Sequence, residues 1–378
     1  MTNSWRTSLP AALWGQATKL TGRTRGPSSG RVNNEPLARP RADHPRGSPP
    51  SDVRETLGKA QERRRNAGES RETDKSDNEP IVLTTSKGIM QLSAPSMLQS
   101  KRPYIMYGTA WKKDATASLV SNAVMSGFRF IDTACQPKHY NEAGVGEGWT
   151  TAVAKLGLGR SDLFLQTKFT SVDGQDPKNI PYDADDVLEE QVKQSLTKSL
   201  FNLQTDYIDS LVMHSPMRDH ELTMRVWRVF ESFVNDGKVR QIGIANCYDP
   251  RKFLRIYKDS IIKPKVLQNR FYSDSGFDTE LRGLCDSYGV TYQSFWTLTA
   301  NRDALRRREW EEMAMRKDLT PQTLMYAYMM TQGHTPLSGT QDVIHMEEDV
   351  NVMLRFQNGE QVLSEDEVET LSSLLGVP

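Results

Sequence analysis

Four polar side chains in this sequence are of the types that transfer a proton to a carbonyl oxygen. Asp132 ends the apolar run Phe-Arg-Phe-Ile, Tyr140 follows it by eight residues, and Lys168 and His214 end later apolar runs. A tyrosine is a weak acid with an ordinary pKa of about 10, and a neighbouring ammonium group favours its ionised form. We therefore expect Lys168 to lower the pKa of Tyr140 toward the working pH. Asp132 would hold Lys168 in place, and His214 would orient the oxygen or relay a proton.

A tyrosine acid beside a lysine, without metal ligands, suits the reduction of a carbonyl group by hydride from a nicotinamide cofactor. Each residue alone also has a structural interpretation. Lys168 could be a surface lysine, His214 a core histidine with satisfied hydrogen bonds, and Asp132 the N-cap of the next helix. The functional interpretation requires that the fold bring the four side chains together.

A strand-then-helix unit recurs from residue 80 onward. Each unit begins with a short run rich in β-branched and aromatic residues that ends in a polar residue, and an amphipathic stretch follows. Strands that alternate with helices pair in parallel through crossover connections. The eight runs are residues 104–110, 128–134, 163–168, 207–215, 241–246, 265–271, 290–296 and 335–340.

The helical stretches show the spacing of a single buried face. Residues 185–203 place apolar side chains at positions 188, 192, 196, 200 and 203, which predicts an α-helix with one stripe facing the core. Residues 220–238 repeat this pattern and end near Gly237, and residues 278–289 end at Gly289. Both glycines are predicted to terminate their helices, because glycine adopts the left-handed conformation without steric cost.

These units predict an α/β fold, a closed (β/α)8 TIM barrel. An open doubly wound sheet is the alternative, but about 300 residues in eight units favour the barrel. No Gly-x-Gly-x-x-Gly motif follows the first strand, which also disfavours the open sheet. The active site of such a barrel lies at the carboxyl ends of its strands. The residues at the predicted ends are Gly108, Thr109, Asp132, Lys168, His214, Asn246, Gln268, Phe295, Trp296, Ser338 and Thr340.

The first 78 residues differ in composition from the rest of the chain. They are rich in Arg, Ser, Gly, Pro and Asn, and they carry 15 Lys and Arg against nine Asp and Glu. Such a segment buries too little apolar surface to offset its ordering entropy, so we expect residues 1–78 to be disordered and residues 79–378 to form the barrel domain. A β-hairpin is expected over residues 81–93. The acid-free first 34 residues leave open a weak mitochondrial targeting signal.

Composition disfavours several classes of function. Residues 79–378 hold 33 Lys and Arg against 39 Asp and Glu, so nothing suggests a basic surface for a nucleic acid. No apolar run approaches the roughly 20 residues of a membrane span. Three cysteines without a CxxC spacing fit free thiols in a reducing compartment rather than disulfides or a zinc site. We expect a cytoplasmic protein, monomeric or weakly homo-oligomeric, that acts on a small-molecule carbonyl substrate without a metal.

Several segments together resemble the aldo-keto reductases. GFRFIDTA (127–134) resembles the second-strand signature of that family, and TK (167–168) resembles its lysine motif. DYIDSLVMHSP (206–216) is similar to the family's histidine strand, and GKVRQIGIANCY (237–248) to its fifth strand. The resemblance runs in order from about Ile81 to the C-terminus. It implies a (β/α)8 barrel that binds NADPH, or less often NADH, and reduces aldehydes and ketones to alcohols.

The resemblance also implies a role for each matching position. Four residues would be catalytic: Asp132, Tyr140, Lys168 and His214. Eight would bind the cofactor: Gly108 and Thr109 from the first strand, Asn246 and Gln268 at the nicotinamide carboxamide, Phe295 stacked on the nicotinamide ring, and Ser338, Gly339 and Thr340 at the adenosine phosphates. Trp111 would line the substrate pocket.

The loop after the second strand departs from the family pattern. The family usually has its tyrosine five residues after the aspartate, but Tyr140 lies eight residues after Asp132. Counted back from Asn141, His139 occupies the usual position. We favour Tyr140 as the proton donor, because a phenol is the acid that this chemistry uses, and we interpret residues 136–138 as an insertion. His139 remains the alternative.

The last strand also departs from the family pattern. Leu337 stands where a lysine is common, and Val343 and Ile344 stand where an arginine is expected for the 2′-phosphate of NADPH. The resemblance implies NADPH as the cofactor, but these replacements weaken that preference and leave NADH as the open alternative. Ala245 replaces a serine that often precedes the asparagine Asn246, which could remove one contact to the carboxamide.

Two questions stay open at the level of sequence. Residues 170–183 form an enlarged loop after the third strand, which could be one wall of the pocket or only a solvated excursion. The alternative to a reductase is a nucleotide-binding regulatory or scaffolding barrel with little turnover, like the potassium-channel β-subunits of the family. The complete set of four catalytic types argues against that alternative. A hydrolase on the same fold is disfavoured, because paired carboxylates and a metal cluster are lacking.

Overall fold

The computed structural model describes residues 93–378, in which eight parallel strands close into a barrel in sequence order. Strand β8 pairs with β1 and completes the ring. This arrangement confirms the predicted (β/α)8 barrel. The strands are β1 (Met106–Gly108), β2 (Phe130–Asp132), β3 (Phe164–Phe169), β4 (Ile208–Met213), β5 (Val239–Ala245), β6 (Val266–Arg270), β7 (Thr291–Phe295) and β8 (Thr335–Ser338).

Helices follow the strands and cover the outside of the barrel. The α-helices within residues 93–378 are α1 (Ala94–Gln99), α2 (Thr116–Ser126), α3 (Glu142–Leu156), α4 (Leu188–Asn202), α5 (His220–Asn235), α6 (Pro250–Asp259), α7 (Thr279–Tyr288), α8 (Arg302–Leu305), α9 (Arg308–Arg316), α10 (Pro321–Thr331), α11 (Val343–Gln357) and α12 (Glu365–Leu375). Short 3-10 turns lie at Lys113–Ala115, Arg160–Asp162, Val172–Gly174, Ser273–Asp278 and Thr299–Asn301. None of the helices in this part of the chain is long and apolar enough to cross a membrane.

Two predicted features lie in the N-terminal part of the chain. The expected disorder of residues 1–78 falls outside the described residues. The predicted hairpin over residues 81–93 also falls outside them, apart from its last residue. That residue, Ser93, is the N-cap of α1, and its side chain accepts a hydrogen bond from the backbone N–H of Ser96.

The apolar stripe predicted for the first long helix faces the core. Val192 and Leu196 of α4 are buried, and so is Leu203 just after the helix. Gly237 and Gly289, predicted to end α5 and α7, adopt left-handed conformations with φ of 71° and 63°. The sequence pattern therefore predicted both the buried face and the helix ends, because burial of one stripe and a left-handed terminal residue are local requirements.

Helix α3 begins immediately after the candidate proton donor. Its N-cap is Asn141, whose side-chain oxygen accepts a 2.9 Å hydrogen bond from the backbone N–H of Gly144. The N-cap of α5 is Asp219, which accepts from Leu222 in the same way at 2.8 Å. An N-cap fixes where a helix starts, so Asn141 also fixes the position of the preceding loop at the barrel mouth.

The strand register decides which polar side chains share the barrel interior. Asp132 at the end of β2 is opposite Gln166 of β3, and Lys168 lies two residues further along β3. On β6 and β7, Arg270 is opposite Phe295. Because alternate residues of a strand point to the same side, Gln166 and Lys168 project to the same face of the barrel wall.

The packing of α3 depends on a close approach of two backbones. A Cβ added at Gly146 would overlap the carbonyl oxygen of Asn202 and lie 3.1 Å from the Cα of Leu203. Backbone atoms cannot move aside as the tip of a side chain can. Gly283, on the exposed side of α7, has no atom within 4 Å of the added Cβ.

We therefore expect opposite effects from two glycine-to-alanine substitutions. Gly146→Ala should lower the free energy of unfolding by about 1–3 kcal/mol through steric overlap. Gly283→Ala should raise it by about 0.5–1 kcal/mol, because alanine favours a helix interior. Urea denaturation of both variants checks this, and equal stability of the two would contradict the described contact between α3 and the end of α4.

Candidate active site

A cleft of about 600 Å³ opens at the carboxyl ends of the barrel strands. Eleven of the thirteen site residues predicted from the sequence line it. They are Gly108, Trp111, Asp132, Tyr140, His214, Asn246, Gln268, Phe295, Ser338, Gly339 and Thr340. The other two, Thr109 and Lys168, are buried directly behind its wall, and Thr109 donates to the backbone oxygen of Asp132 at 2.9 Å. The fold thus brings all the predicted residues to one end of the barrel.

An ion pair joins Asp132, which lines the cleft, to Lys168, which is buried behind it. The Lys168 Nζ lies 2.6 Å from Oδ2 and 2.7 Å from Oδ1 of Asp132, and both side chains are almost fully buried. Its remaining proton goes to the backbone oxygen of Thr133 at 2.9 Å. Burial lowers the pKa of Lys168, and the carboxylate of Asp132 opposes that effect. The expected pairing of these two residues is confirmed.

A layer of three glutamines supports the aspartate, which the sequence analysis did not predict. Gln166 and Gln268 donate from Nε2 to Oδ1 of Asp132 at 2.8 and 3.0 Å. Both also donate to Oε1 of Gln293, at 2.7 and 2.9 Å. The sequence does contain a signal for this layer: Gln166 lies in the apolar run of β3, two residues before Lys168, and Gln293 lies in that of β7, two residues before Phe295. The layer satisfies the buried carboxylate, which an apolar interior would penalise.

The phenol of Tyr140 faces the ion pair and the histidine. Lys168 Nζ lies 5.4 Å from the centre of the Tyr140 ring, and the ring meets that of His214 edge-on at 6.0 Å. Loss of hydration raises the pKa of Tyr140 well above its ordinary value, and the charge of Asp132 adds to this effect. The expectation that the pKa of Tyr140 is lowered is therefore wrong. Lys168 gives its protons to Asp132 and Thr133, so desolvation dominates.

His139, the alternative proton donor, has its ring on a neighbouring tryptophan. The ring centre lies 3.9 Å from that of Trp111, and the His139 carbonyl accepts a 2.7 Å hydrogen bond from the Trp111 backbone. Within residues 93–378, no group bonds its buried Nδ1. Burial lowers the pKa of His139. Of the two neighbours, Tyr140 lines the cleft and His139 braces a wall residue.

His214 is held as a neutral imidazole by its surroundings. Its Nδ1 lies 2.6 Å from the hydroxyl oxygen of Thr170, a contact that sequence reasoning missed because Thr170 lies beyond the end of β3. Burial lowers the pKa of His214 to about 3, and the positive charge of Lys168 contributes. If Thr170 donates to Nδ1, the proton of the imidazole is on Nε2, the other ring nitrogen.

Asn246, at the end of β5, is held in a left-handed conformation with φ of 51°. Its Nδ2 donates to the backbone oxygen of His214 at 2.8 Å, and its Oδ1 accepts from Tyr248 at 3.2 Å. Gln268 uses Nε2 within the glutamine layer, while no donor in residues 93–378 bonds its Oε1. Gln268 therefore retains an acceptor for a ligand in the cleft.

The opposite end of the cleft, between β1 and β8, contains a cation that sequence reasoning missed. Lys112 is buried, and its Nζ donates to the backbone oxygens of Gly339 and Thr340. Burial lowers the pKa of Lys112 to about 8. Nearby, Ser338 donates to Asp349 of α11 at 2.6 Å, and burial raises the pKa of Asp349 to about 7. The sequence signal that could have identified Lys112 as a cleft residue is its position directly after Trp111, which was predicted to line the pocket.

The enlarged loop over residues 170–183 is fastened to the barrel. Tyr182 donates to the backbone oxygen of Thr170 at 2.6 Å, and Gln175 donates to two backbone carbonyls. Thr170, Ser171, Asp173 and Gly174 line a second cavity of about 500 Å³ that His214 also borders. The loop thus lines a cavity next to the site, and none of residues 170–183 lines the cleft itself.

Metal ligands and disulfides are two other features that could carry chemistry. No group of three or more His, Cys, Asp or Glu side chains in the described part of the chain is arranged to hold a metal ion. Cys135, Cys247 and Cys285 are buried free thiols, and burial raises the pKa of each. Buried thiols of raised pKa are poor nucleophiles.

Comparisons with known proteins bear on this cleft. Residues 104–375 match the family model of the aldo/keto reductase family. The glyoxal reductase of Bacillus subtilis (strain 168) is 32% identical over 182 residues, which cover 48% of this chain and 57% of that protein. The morphine 6-dehydrogenase of Pseudomonas putida is 33% identical over 147 residues, 39% of this chain and 43% of that protein. The chain thus spans about half the length of these curated relatives.

Solved structures share the architecture. An aldo/keto reductase from Brucella melitensis aligns with a TM-score of 0.59 at 23% identity, covering 71% of this chain and 94% of that one. The aldose reductase from Schistosoma japonicum aligns with a TM-score of 0.59 at 23% identity, covering 72% of this chain and 88% of that one. At this identity the likeness concerns the barrel fold.

The lowered pKa of His214 predicts a titration that NMR can follow. The ring should stay neutral from about pH 8 down to about pH 5, because a group with a depressed folded pKa gains its proton only as the pH falls toward that value. The sequence has six histidines, and the signal lost in His214→Gln identifies this ring. A midpoint near 6.5 in the folded protein would contradict the assignment of a neutral ring.

Proposed function

Because the chain belongs to the aldo/keto reductase family, we propose that it is an NAD(P)H-dependent oxidoreductase that reduces an aldehyde or ketone to an alcohol. The observation that carries this proposal is the assembly of Tyr140 and His214 over the buried pair of Lys168 and Asp132 at the barrel mouth. The names of related proteins, glyoxal reductase and methylglyoxal reductase, make small dicarbonyl compounds a suitable first test.

The residues of the cleft fit a nicotinamide dinucleotide. Gln268 presents an acceptor and Phe295 an aromatic ring, which suit the amide and the flat ring of a nicotinamide. Gly339 and Thr340 with Lys112 would hold the phosphates, since Lys112 supplies a positive charge at that end. When bound, the reduced nicotinamide would supply a hydride to the substrate carbon.

NADPH is the cofactor that the family resemblance implies, and NADH is the alternative. Val343 and Ile344 are exposed at the start of α11, and Leu337 lines the cleft. None of these three side chains can pair with a 2′-phosphate. Because these three positions lack a basic side chain, we propose NADH as an alternative to NADPH, and binding titrations with both dinucleotides distinguish them.

Tyr140 would donate the proton to the developing alkoxide. Its raised pKa keeps the phenol protonated at neutral pH, which is the form that a general acid needs before the reaction. The ion pair of Lys168 and Asp132 would act from behind the ring: the ammonium favours the phenolate that forms, and the carboxylate fixes the ammonium. The ammonium would act through its charge at this distance, because its protons are held by Asp132 and Thr133.

His214 would orient the carbonyl oxygen. The neutral imidazole can donate a hydrogen bond without adding a full charge to a cleft that already contains Lys168. Thr170 would position the ring through its contact with Nδ1. Together with Tyr140, the histidine would offer two donors to one oxygen, and this favours the polarised carbonyl over the neutral one.

The reductase proposal predicts different effects for two adjacent substitutions. Tyr140→Phe removes only the phenolic hydroxyl and should lower kcat by about 100-fold or more, which is the scale of general acid catalysis. His139→Gln should retain kcat within about threefold. The His139 ring lies outside the cleft, where it packs against Trp111, and it would donate no proton to the substrate. Oxidation of NADPH or NADH with a panel of aldehydes, ketones and quinones measures both.

The same assay separates the alternatives. If Tyr140→Phe retained turnover and His139→Gln lost it, His139 and not Tyr140 would be the general acid. Tight binding of a dinucleotide by the wild-type protein, without turnover of any carbonyl in the panel, would favour the regulatory barrel. Intact dinucleotide binding by Tyr140→Phe serves as the control that the variant is folded.

A further inference from the structure

A second cation, Arg270, lines the cleft at the end of β6. Its guanidinium carbon lies 4.2 Å from the ring centre of Trp296 and 5.1 Å from that of Tyr272. Two aromatic faces therefore hold the planar head in place by cation–π contact. Arg270 is partly exposed, at a point where a bound ligand could meet it.

Trp296 reaches this position only through an unfavourable backbone conformation. It follows the last residue of β7 and has φ of 56°, in the left-handed region that bulky residues rarely adopt. Nearly half of its surface, 49%, is exposed. Strain of this kind persists where surrounding structure imposes it, and it clusters at ligand sites.

The guanidinium has no anionic partner within residues 93–378. No carboxylate of that range forms an ion pair with Arg270, and its buried Nε has no hydrogen-bond partner there. Arg160 shows the usual arrangement: its side chain is 14% exposed, and its guanidinium pairs with Asp209 at 2.7 Å. A desolvated donor without a partner is costly, so a ligand that supplies an acceptor would be bound strongly.

The position of Arg270 relates it to the ligand of the proposed reaction. It follows Gln268 by two residues on β6 and is opposite Phe295 in the register of β6 and β7. Those two residues are the ones proposed to meet the nicotinamide. Lys112 lies at the other end of the cleft, between β1 and β8.

We propose that Arg270 is an oxyanion-binding residue of the cleft. This inference rests on the proposed function, because its ligand is either of the two reactants. The shared chemistry is a pair of oxygens that a guanidinium fork can contact, and these belong to the pyrophosphate of the dinucleotide or to a carboxylate on the carbonyl substrate. Arg270 supplies a positive charge beside the residues proposed to meet the nicotinamide, and Lys112 supplies a separate one at the other end of the cleft.

Three variants test the inference. Arg270→Met keeps an unbranched stem between Trp296 and Tyr272 without the charge. Arg270→Lys keeps the charge without the planar fork, and it provides a folded protein if methionine disturbs the loop. Arg251→Met removes a positive charge from an ion pair on α6 whose arginine is 93% exposed, and it is the matched control.

The measurements separate the two sources of the oxyanion. If the pyrophosphate is the ligand, Arg270→Met should raise the Kd of NADPH and NADH by about 10-fold or more, Arg270→Lys should have a smaller effect, and Arg251→Met should have none. If a substrate carboxylate is the ligand, both Kd values stay unchanged. The KM for 4-oxobutanoate then rises by about 10-fold relative to that for butanal, its neutral counterpart.

The inference would be overturned, and the proposed function would stand, if Arg270→Met left the Kd of both dinucleotides and the KM of both aldehydes unchanged. Arg270→Lys serves for this comparison if Arg270→Met does not fold. Wild-type protein that binds neither NADPH nor NADH would overturn the proposed function and this inference with it. Thermal unfolding midpoints within a few degrees of wild type establish that the variants are folded.

Discussion

The buried ion pair between Lys168 and Asp132 is the constraint on which the rest of the site depends. Two charges removed from water are costly, and they are tolerated here because every oxygen of the carboxylate and every proton of the ammonium is used. Gln166, Gln268 and Gln293 form a hydrogen-bonded layer across the barrel to satisfy Asp132. The barrel closes around this polar layer, so the strands that supply it cannot shift in register without leaving a charge unpaired.

Electrostatics divides the cleft into a proton-donating centre and two cationic ends. At the centre, desolvation keeps Tyr140 protonated and His214 neutral, so the proposed donors are in the states that a reduction needs. Lys112 and Arg270 stand apart from this centre, near β8 and β6. The proposed dinucleotide has anionic phosphates and the proposed substrate has a polarised oxygen, so each would find a group of complementary charge in this cleft.

The sequence alone predicted the barrel, its strand ends and eleven of the residues that line the cleft, because strand ends and helix faces are recorded in local patterns. The Lys168–Asp132 pairing followed from the general rule that buried charges pair. The direction of the Tyr140 pKa was wrong, since desolvation depends on packing from distant segments. The sequence did not predict Thr170 or Arg270 for the same reason. Thr170 contacts His214, which lies 44 residues further along the chain, and Arg270 contacts Trp296, which lies in the loop after the next strand. Only tertiary structure brings such residues together.

Carbonyl reduction by this protein is tested most directly by the transfer of deuterium from the cofactor to the product. The purified protein would receive reduced dinucleotide labelled with deuterium on the nicotinamide C4, in both stereochemical forms, and a small dicarbonyl or aldehyde. We expect the alcohol from one of the two forms to carry a single deuterium on the former carbonyl carbon, in amounts equal to the dinucleotide oxidised. Bound cofactor without any labelled alcohol across the substrate panel would contradict it.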